Sequence, residues 1–275
     1  MKKDEKINPA EERNPRAHGR KFRTALVLSG GGVRGMAHIG AIQALEEQGI
    51  FAEVVSGSSA GAVVGALYCH GYSPAEMKRF FEETPLFHIS RFAFGKPGFI
   101  DTDKFYKDFV KYFRMDDFES LKKPLYVTAV DMLKGIKKVF SKGELIKPLL
   151  ASSAFPGLFS PVCIDQVLYS DGGILDNFPI EPIEELADEL IGIYVSPLET
   201  IQPENLKYSV NVLERAIRIN YSERSMSKFS ACDLLVRPPK LVDYGLLDVG
   251  KLEEIYQVGY ETTRRELKKR MGLSV

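Results

Sequence analysis

The sequence predicts an α/β protein, a mostly parallel sheet covered by helices. Short runs rich in Val, Ile and Leu alternate with helix-period segments from Thr24 onward. The first two of these runs end in glycine-rich loops that open directly into helices, as at the carboxyl edge of a parallel sheet. The 275 residues hold no repeat, no low-complexity linker and no shift of composition. Residues 21–275 are therefore expected to form one domain behind a flexible polar tail, residues 1–20.

Thr24–Ser29 is β-branched and leucine-rich, and reads as a buried strand ending in Gly30-Gly31-Gly32-Val33-Arg34-Gly35. Ile39, Ile42, Ala44 and Leu45 recur at helical spacing over Met36–Gln48, and Gly49 stops that helix. Val54–Ser56 is a second short strand, followed by Gly57-Ser58-Ser59-Ala60-Gly61 and a small-residue, apolar helix Ala60–His70. Ser73-Pro74-Ala75-Glu76 is a capping box opening a helix to about Glu83. Asp103–Phe113 is amphipathic, with Phe105, Phe109 and Phe113 on its core face. Leu125–Asp131 and Lys137–Ser141 read as neighbouring strands around Gly135, and Glu144–Ser152 as a helix. Pro161–Ile164 and Val167–Ser170 form a strand pair ending in Asp171-Gly172-Gly173. A helix near Ile183–Asp188, a strand Leu190–Val195, a helix Val210–Phe229, a strand Asp233–Val236 and a helix from Val249 complete the expectation.

Composition narrows the function. Hydrophobic residues are 44% and charged residues 27%, ordinary for a water-facing globular chain. Lys plus Arg, 37, equals Asp plus Glu, 37, so the basic excess typical of nucleic-acid binders is missing. Cys69, Cys163 and Cys232 are odd in number and far apart with no CxxC, which argues against a disulfide framework or a cysteine zinc site and for a reducing compartment. The polar N-terminal stretch has no signal-peptide core, and no run approaches the length of a membrane span. The expected location is cytoplasmic, with a peripheral, transient contact at a membrane surface compatible with it.

Gly57-x-Ser59-x-Gly61 between a strand and a helix carries the sharpest chemistry. A serine at such a turn is strained, its hydroxyl projects into a cleft, and the flanking glycines let backbone pass close by. The positive end of the following helix favours charge developing there. A plain Ser/Gly turn capping the helix is the competing reading. A serine nucleophile needs a base, and the four histidines supply none readily. His18 lies in the tail, His38 sits in an apolar neighbourhood, and no histidine follows His88. His70 is roughly 16 Å from Ser59 along one helix. Asp171, at a strand end before two glycines, is the candidate carboxylate; a simple Asp-Gly turn competes with it.

The Gly30–Gly35 loop exposes backbone N–H groups near a helix N-terminus, an anion cradle. It suits either an oxyanion hole or, through the G-x-G-x-x-G match of Gly30, Gly32 and Gly35, a dinucleotide site. The dinucleotide reading lacks its acidic residue, because the second strand ends in GSSAG, and no GK[ST] follows for a P-loop. Neighbouring strand ends place the two loops side by side, which the oxyanion reading explains together.

These blocks, with Ala151-Ser152-Ser153-Ala154-Phe155-Pro156-Gly157 running to Phe159-Ser160-Pro161, resemble the signature of the patatin-like phospholipase family over about Ala25–Val195. The resemblance implies a three-layer α/β/α sandwich and acyl-ester hydrolysis, of phospholipase A, lysophospholipase or carboxylesterase type, with neither metal nor cofactor. It implies Ser59 as nucleophile and Asp171 as base. It implies an oxyanion hole from Gly30, Gly31, Gly32 and Arg34, with Gly35, Gly57, Gly61, Gly172 and Gly173 as further residues of the motifs. Nothing transfers to residues 197–275. An acyltransferase or thioesterase on the same dyad, and a non-catalytic lipid-binding regulator, are the alternative functions. Phe87, Phe92, Phe94 and Phe99, in a stretch with little periodicity from His88 to Ile100, are expected either to form an apolar flap that admits an acyl chain or to pack in the core. The partner is a lipid or other acyl ester; no nucleic acid is expected, and oligomeric state is left open.

Overall fold

Alternation along one strand divides the protein between two apolar layers. The computed structural model describes residues 19–84, 101–246 and 248–273. In β1 (Phe22–Leu28), Leu26 and Leu28 face the larger layer, whereas Ala25 and Val27 face a smaller one with Phe178, Ile180, Ile183 and Tyr194. A strand buried on both faces is the expected product of a run with no polar alternation. Around β1 lie β2 (Val54–Ser58), β3 (Leu125–Asp131), β4 (Ile136–Phe140), β5 (Val162–Ile164), β6 (Val167–Asp171), β7 (Ala187–Ile193) and β8 (Leu234–Val236). Their order is β5-β6-β3-β2-β1-β7-β8, with β4 paired to β3. β1, β2, β3, β7 and β8 run parallel to one another, and β4 and β6 run antiparallel to β3.

Register fixes the heart of the molecule. β4 occupies one edge of β3 along Val127–Asp131. The other edge is shared end to end: β2 pairs up to Ser58↔Thr128, and β6 takes over from Ala129↔Asp171 to Asp131↔Tyr169. The residue after β2 is Ser59 and the last residue of β6 is Asp171. Two stretches 112 residues apart in sequence thus meet at one point of one strand edge.

The helices are α1 (Met36–Glu46), α2 (Ala60–His70), α3 (Pro74–Glu83), α4 (Tyr106–Tyr112), α5 (Ile146–Ser152), α6 (Ser209–Met226) and α7 (Leu252–Arg270). α3 begins with the foreseen capping box: the Ser73 Oγ accepts from the Glu76 N–H, and the Glu76 carboxylate accepts from the Ser73 N–H at 2.8 Å. α4 is preceded by a 3-10 turn, and Phe105, Phe109 and Phe113 are fully buried. The sheet flanked by helices is the expected class. No helix of the described residues is long and apolar enough to cross a membrane. The tail and Phe87, Phe92, Phe94 and Phe99 lie outside the described residues.

The helix expected at Ile183–Asp188 does not form. Ile183 and Glu184 donate to the Ile180 carbonyl and Leu186 donates to Ile183, a chain of turns. β7 begins at Ala187, because Ala187 and Glu189 pair with Phe22 and Thr24 of β1. Pairing to the central strand outweighs a weak local helix preference.

α7 lies along α1, and two glycines set their separation. A Cβ on Gly259 would overlap the Ala37 carbonyl, and one on Gly40 would overlap the Tyr256 carbonyl. Gly259→Ala should therefore lower unfolding stability by about 1–3 kcal/mol in urea titration. Gly250→Ala, with open space around its Cα, should stay within about 0.5 kcal/mol of the parent.

Candidate active site

Ser59 occupies the turn between β2 and α2 with φ 53° and ψ −127°, a backbone that L-residues rarely adopt. Holding it costs on the order of 1–3 kcal/mol, so its surroundings must enforce it. They do so from both sides. The Ser59 N–H donates to Ser152 Oγ at 2.8 Å, and the Ser152 hydroxyl donates to the Thr128 carbonyl at 2.6 Å. Ser152 is fully buried at the end of α5, so the turn is riveted to β3 through one side chain. Gly61 permits the other contact: a Cβ there would overlap the Leu28 carbonyl, so α2 could not start this close to β1.

The Ser59 hydroxyl donates to Asp171 Oδ2 at 2.7 Å. Asp171 is 4% exposed. Its Oδ1 accepts from the Gly173 N–H at 2.7 Å, and its own N–H donates to the Ala154 carbonyl at 3.0 Å. Burial drives its pKa up to about 6, against the two hydrogen bonds that favour the charged form. Gly172 lies at the junction of the strands, where a Cβ would overlap the Thr128 carbonyl.

The Gly30–Gly35 loop wraps beside this pair. Among the described residues, the N–H groups of Gly31 and Gly32 donate to nothing, and both residues line the cleft at Ser59. Gly30 and Arg34, grouped with them by sequence, spend their amides elsewhere. The Gly30 N–H donates to the Asn177 carbonyl at 3.1 Å, and the Arg34 N–H donates to the Gly31 carbonyl at 3.2 Å. Arg34 is wholly buried and its Nε also donates to that carbonyl, at 3.2 Å. With its carbonyl held from behind, the Gly31 peptide is fixed in the loop. Gly35 packs against Ala60, and Gly57 against Gly61, which seats α1 and α2 on the two strands.

No histidine approaches Ser59 among the described residues. His38 Nε2 lies 2.7 Å from the Ser29 carbonyl, fully buried, and burial pushes its pKa down to about 4. His70 stacks on Tyr72 with ring centroids 4.7 Å apart. His18 and His88 lie outside the described residues.

The cleft at Ser59 holds about 870 Å³ of empty space, its open mouth included. Its floor is Gly31, Gly32, Ser59, Asp171 and Gly173, and its walls are mostly apolar, with Val63, Phe81, Phe105, Leu150, Phe155, Leu158, Phe159, Ile174, Ile217, Tyr221 and Leu246 beside the polar Thr102, Ser153 and Asn177. Several lining residues carried no sequence signal. Asn177 follows the Asp-Gly-Gly turn, and its Oδ1 stands where a Cβ on Gly30 would be. Ile217 and Tyr221 come from α6, at the i, i+4 spacing of one helix face. That spacing could have marked them as buried but not as part of a site.

Below the floor, the buried Asp176 carboxylate binds Lys137 Nζ and Lys228 Nζ, each at 2.7 Å. It ties the segment after Asp171 to β4 and to the chain just beyond α6. Asp176→Ala leaves two half-buried ammonium groups without this partner and should cost about 3 kcal/mol in chemical denaturation. The Lys78–Glu253 pair has an exposed carboxylate, and Glu253→Ala should change stability by less than about 1 kcal/mol.

Comparison with known proteins agrees with this architecture. Residues 26–183, more than half of the chain, match the model of the family described as patatin-like phospholipase. Lysophospholipase nte1 of Neurospora crassa is 28% identical over 89% of this chain, and lysophospholipase NTE1 of Kluyveromyces lactis is 28% identical over 86%. The chain spans 18% of the length of each of these relatives. Among solved structures, VipD from Legionella pneumophila superposes with a TM-score of 0.52 at 16% identity, covering 90% of this chain and 67% of VipD. The chain belongs to the patatin-like phospholipase family.

Proposed function

We propose that this protein is a serine acyl-ester hydrolase working through a Ser59–Asp171 dyad. The observation that carries the reading is the 2.7 Å hydrogen bond from the Ser59 hydroxyl to Asp171 at the floor of an apolar cleft. Asp171 takes the hydroxyl proton as Ser59 Oγ attacks the ester carbonyl carbon. The carbonyl oxygen becomes an anion beside the uncommitted amides of Gly31 and Gly32 and the positive end of α2. The tetrahedral intermediate collapses to an acyl-serine, and the leaving alcohol receives the proton. Asp171 then takes a proton from the water that attacks the acyl carbonyl; the bond from that carbon to Ser59 Oγ breaks, Asp171 returns the proton to Oγ, and the fatty acid leaves with the dyad restored. A carboxylate titrating near 6 is better matched to this work at neutral pH than one in the ordinary range.

The apolar walls suit an acyl chain, and the name of the relatives, lysophospholipase, points to a single-chain phospholipid as the substrate class. The experiment is a panel of p-nitrophenyl esters and lysophospholipids with parent, Ser59→Ala and Asp171→Asn. Each variant should lose about 10⁴-fold in kcat with little change in melting temperature. Activity surviving in Ser59→Ala would remove the nucleophile from the scheme.

The pH dependence follows from the direction of the Asp171 shift. Only the ionised carboxylate accepts a proton, so kcat/KM should level off above pH 6 and fall about tenfold per unit below it. A limb near 3.8, the ordinary aspartate value, would mean that another group or a solvated Asp171 acts as base.

A further inference from the structure

We propose that the tip of the β3–β4 hairpin is a docking element for an anionic phospholipid surface. The tip, Met132-Leu133-Lys134-Gly135-Ile136, is built to hold its shape. Asp131 Oδ1 accepts from the Leu133 and Lys134 N–H groups at 2.9 and 3.0 Å, and Gly135 takes the left-handed conformation that closes the turn. Turns of this kind ordinarily carry polar side chains, yet this one presents large apolar ones. Leu133 is 64% exposed, Ile136 53% and Met132 45%. Leu168 of β6, whose carbonyl accepts from the Met132 N–H, adds another exposed apolar side chain beside them.

The charge of the segment fits the same partner. Residues 132–140 contain Lys134, Lys137 and Lys138 and no acid. Lys137 is held by Asp176 and Glu181, but Lys134 and Lys138 are exposed and pair with no carboxylate among the described residues. Asp165 is an exposed acid at the neighbouring β5–β6 turn. Apolar side chains flanked by lysines suit a lipid interface: the apolar groups enter the acyl boundary and the ammonium groups stay among anionic headgroups.

Position ties the tip to the cleft. Ala129 pairs with Asp171, and the chain runs on past it through Asp131, the end of β3, to Met132, three residues beyond Ala129. At a strand rise of 3.3 Å, the tip stands roughly 10 Å beyond the level of Asp171 on the same edge of the sheet. A surface touched by the tip therefore lies beyond the carboxyl ends of the parallel strands, the end of the sheet that carries Ser59. The purpose of the docking rests on the proposed hydrolase function, but its measurement does not.

Ser59→Ala protein, which leaves lipid intact, is floated with phosphatidylcholine vesicles made with and without phosphatidylserine. The protein should float with the phosphatidylserine vesicles and much less with phosphatidylcholine alone. Leu133→Glu combined with Ile136→Glu should abolish flotation, and Lys134→Ala and Lys138→Ala should each weaken it about fivefold. In the parent background these variants should keep full activity on a soluble short-chain ester and an unchanged melting temperature. Failure of the Ser59→Ala protein to float with either vesicle would overturn the proposal. So would equal flotation of the glutamate variant and its parent, which would leave the exposed tip to a protein partner.

Discussion

Everything at the site depends on two strands sharing one edge of β3. β2 arrives parallel and stops at Thr128; β6 arrives antiparallel from the opposite direction and stops at Ala129. Neither Ser59 nor Asp171 needs a flexible loop to find the other. Backbone hydrogen bonds on rigid strands set their separation, and side-chain torsions need only complete it. This is also why glycine stands at position 172, since any side chain there would push the two strand ends apart at the Thr128 carbonyl.

The same junction concentrates the costs of the design. Ser59 holds a strained backbone, and Asp171 is a buried carboxyl with a raised pKa. Both are destabilising features, and both are compensated locally. Ser152 fastens the Ser59 amide to β3, the Gly173 amide and Ser59 hydroxyl satisfy Asp171, and the Asp176–lysine cluster anchors the chain that follows. Strain held by a stiff surround gives a hydroxyl of fixed direction, which in the proposed reaction would leave little reorganisation for the attack itself.

Much of this was legible in the sequence because it is written locally. A strand, a glycine loop and a helix in immediate succession specify Ser59 and Gly30–Gly35, and the same grammar marks Asp171-Gly172-Gly173. The absence of a suitably placed histidine after Ser59 pointed to a carboxylate base. What could not be read is what reaches the site across long separations. Ser152 acts through its hydroxyl on a residue 93 positions away, and Asn177 closes onto Gly30. Ile217, Tyr221 and Leu246 come from a region without a motif. The Ile183–Asp188 segment failed for a related reason: its local pattern suggested a helix, but β1 needed a partner from Ala187 onward. Grouping Gly30 and Arg34 with the free amides likewise reflected sequence proximity, whereas their hydrogen bonds turn them to bracing the loop.

The central claim is that the register of β3 turns one serine among many into a nucleophile. A fluorophosphonate probe followed by peptide mass spectrometry tests it directly, because the probe reacts with an activated hydroxyl regardless of the natural ester. A single adduct is expected on the peptide carrying Ser59, formed far more slowly in Asp171→Asn. An adduct on a different serine, or equal labelling rates with and without the Asp171 carboxylate, would contradict it.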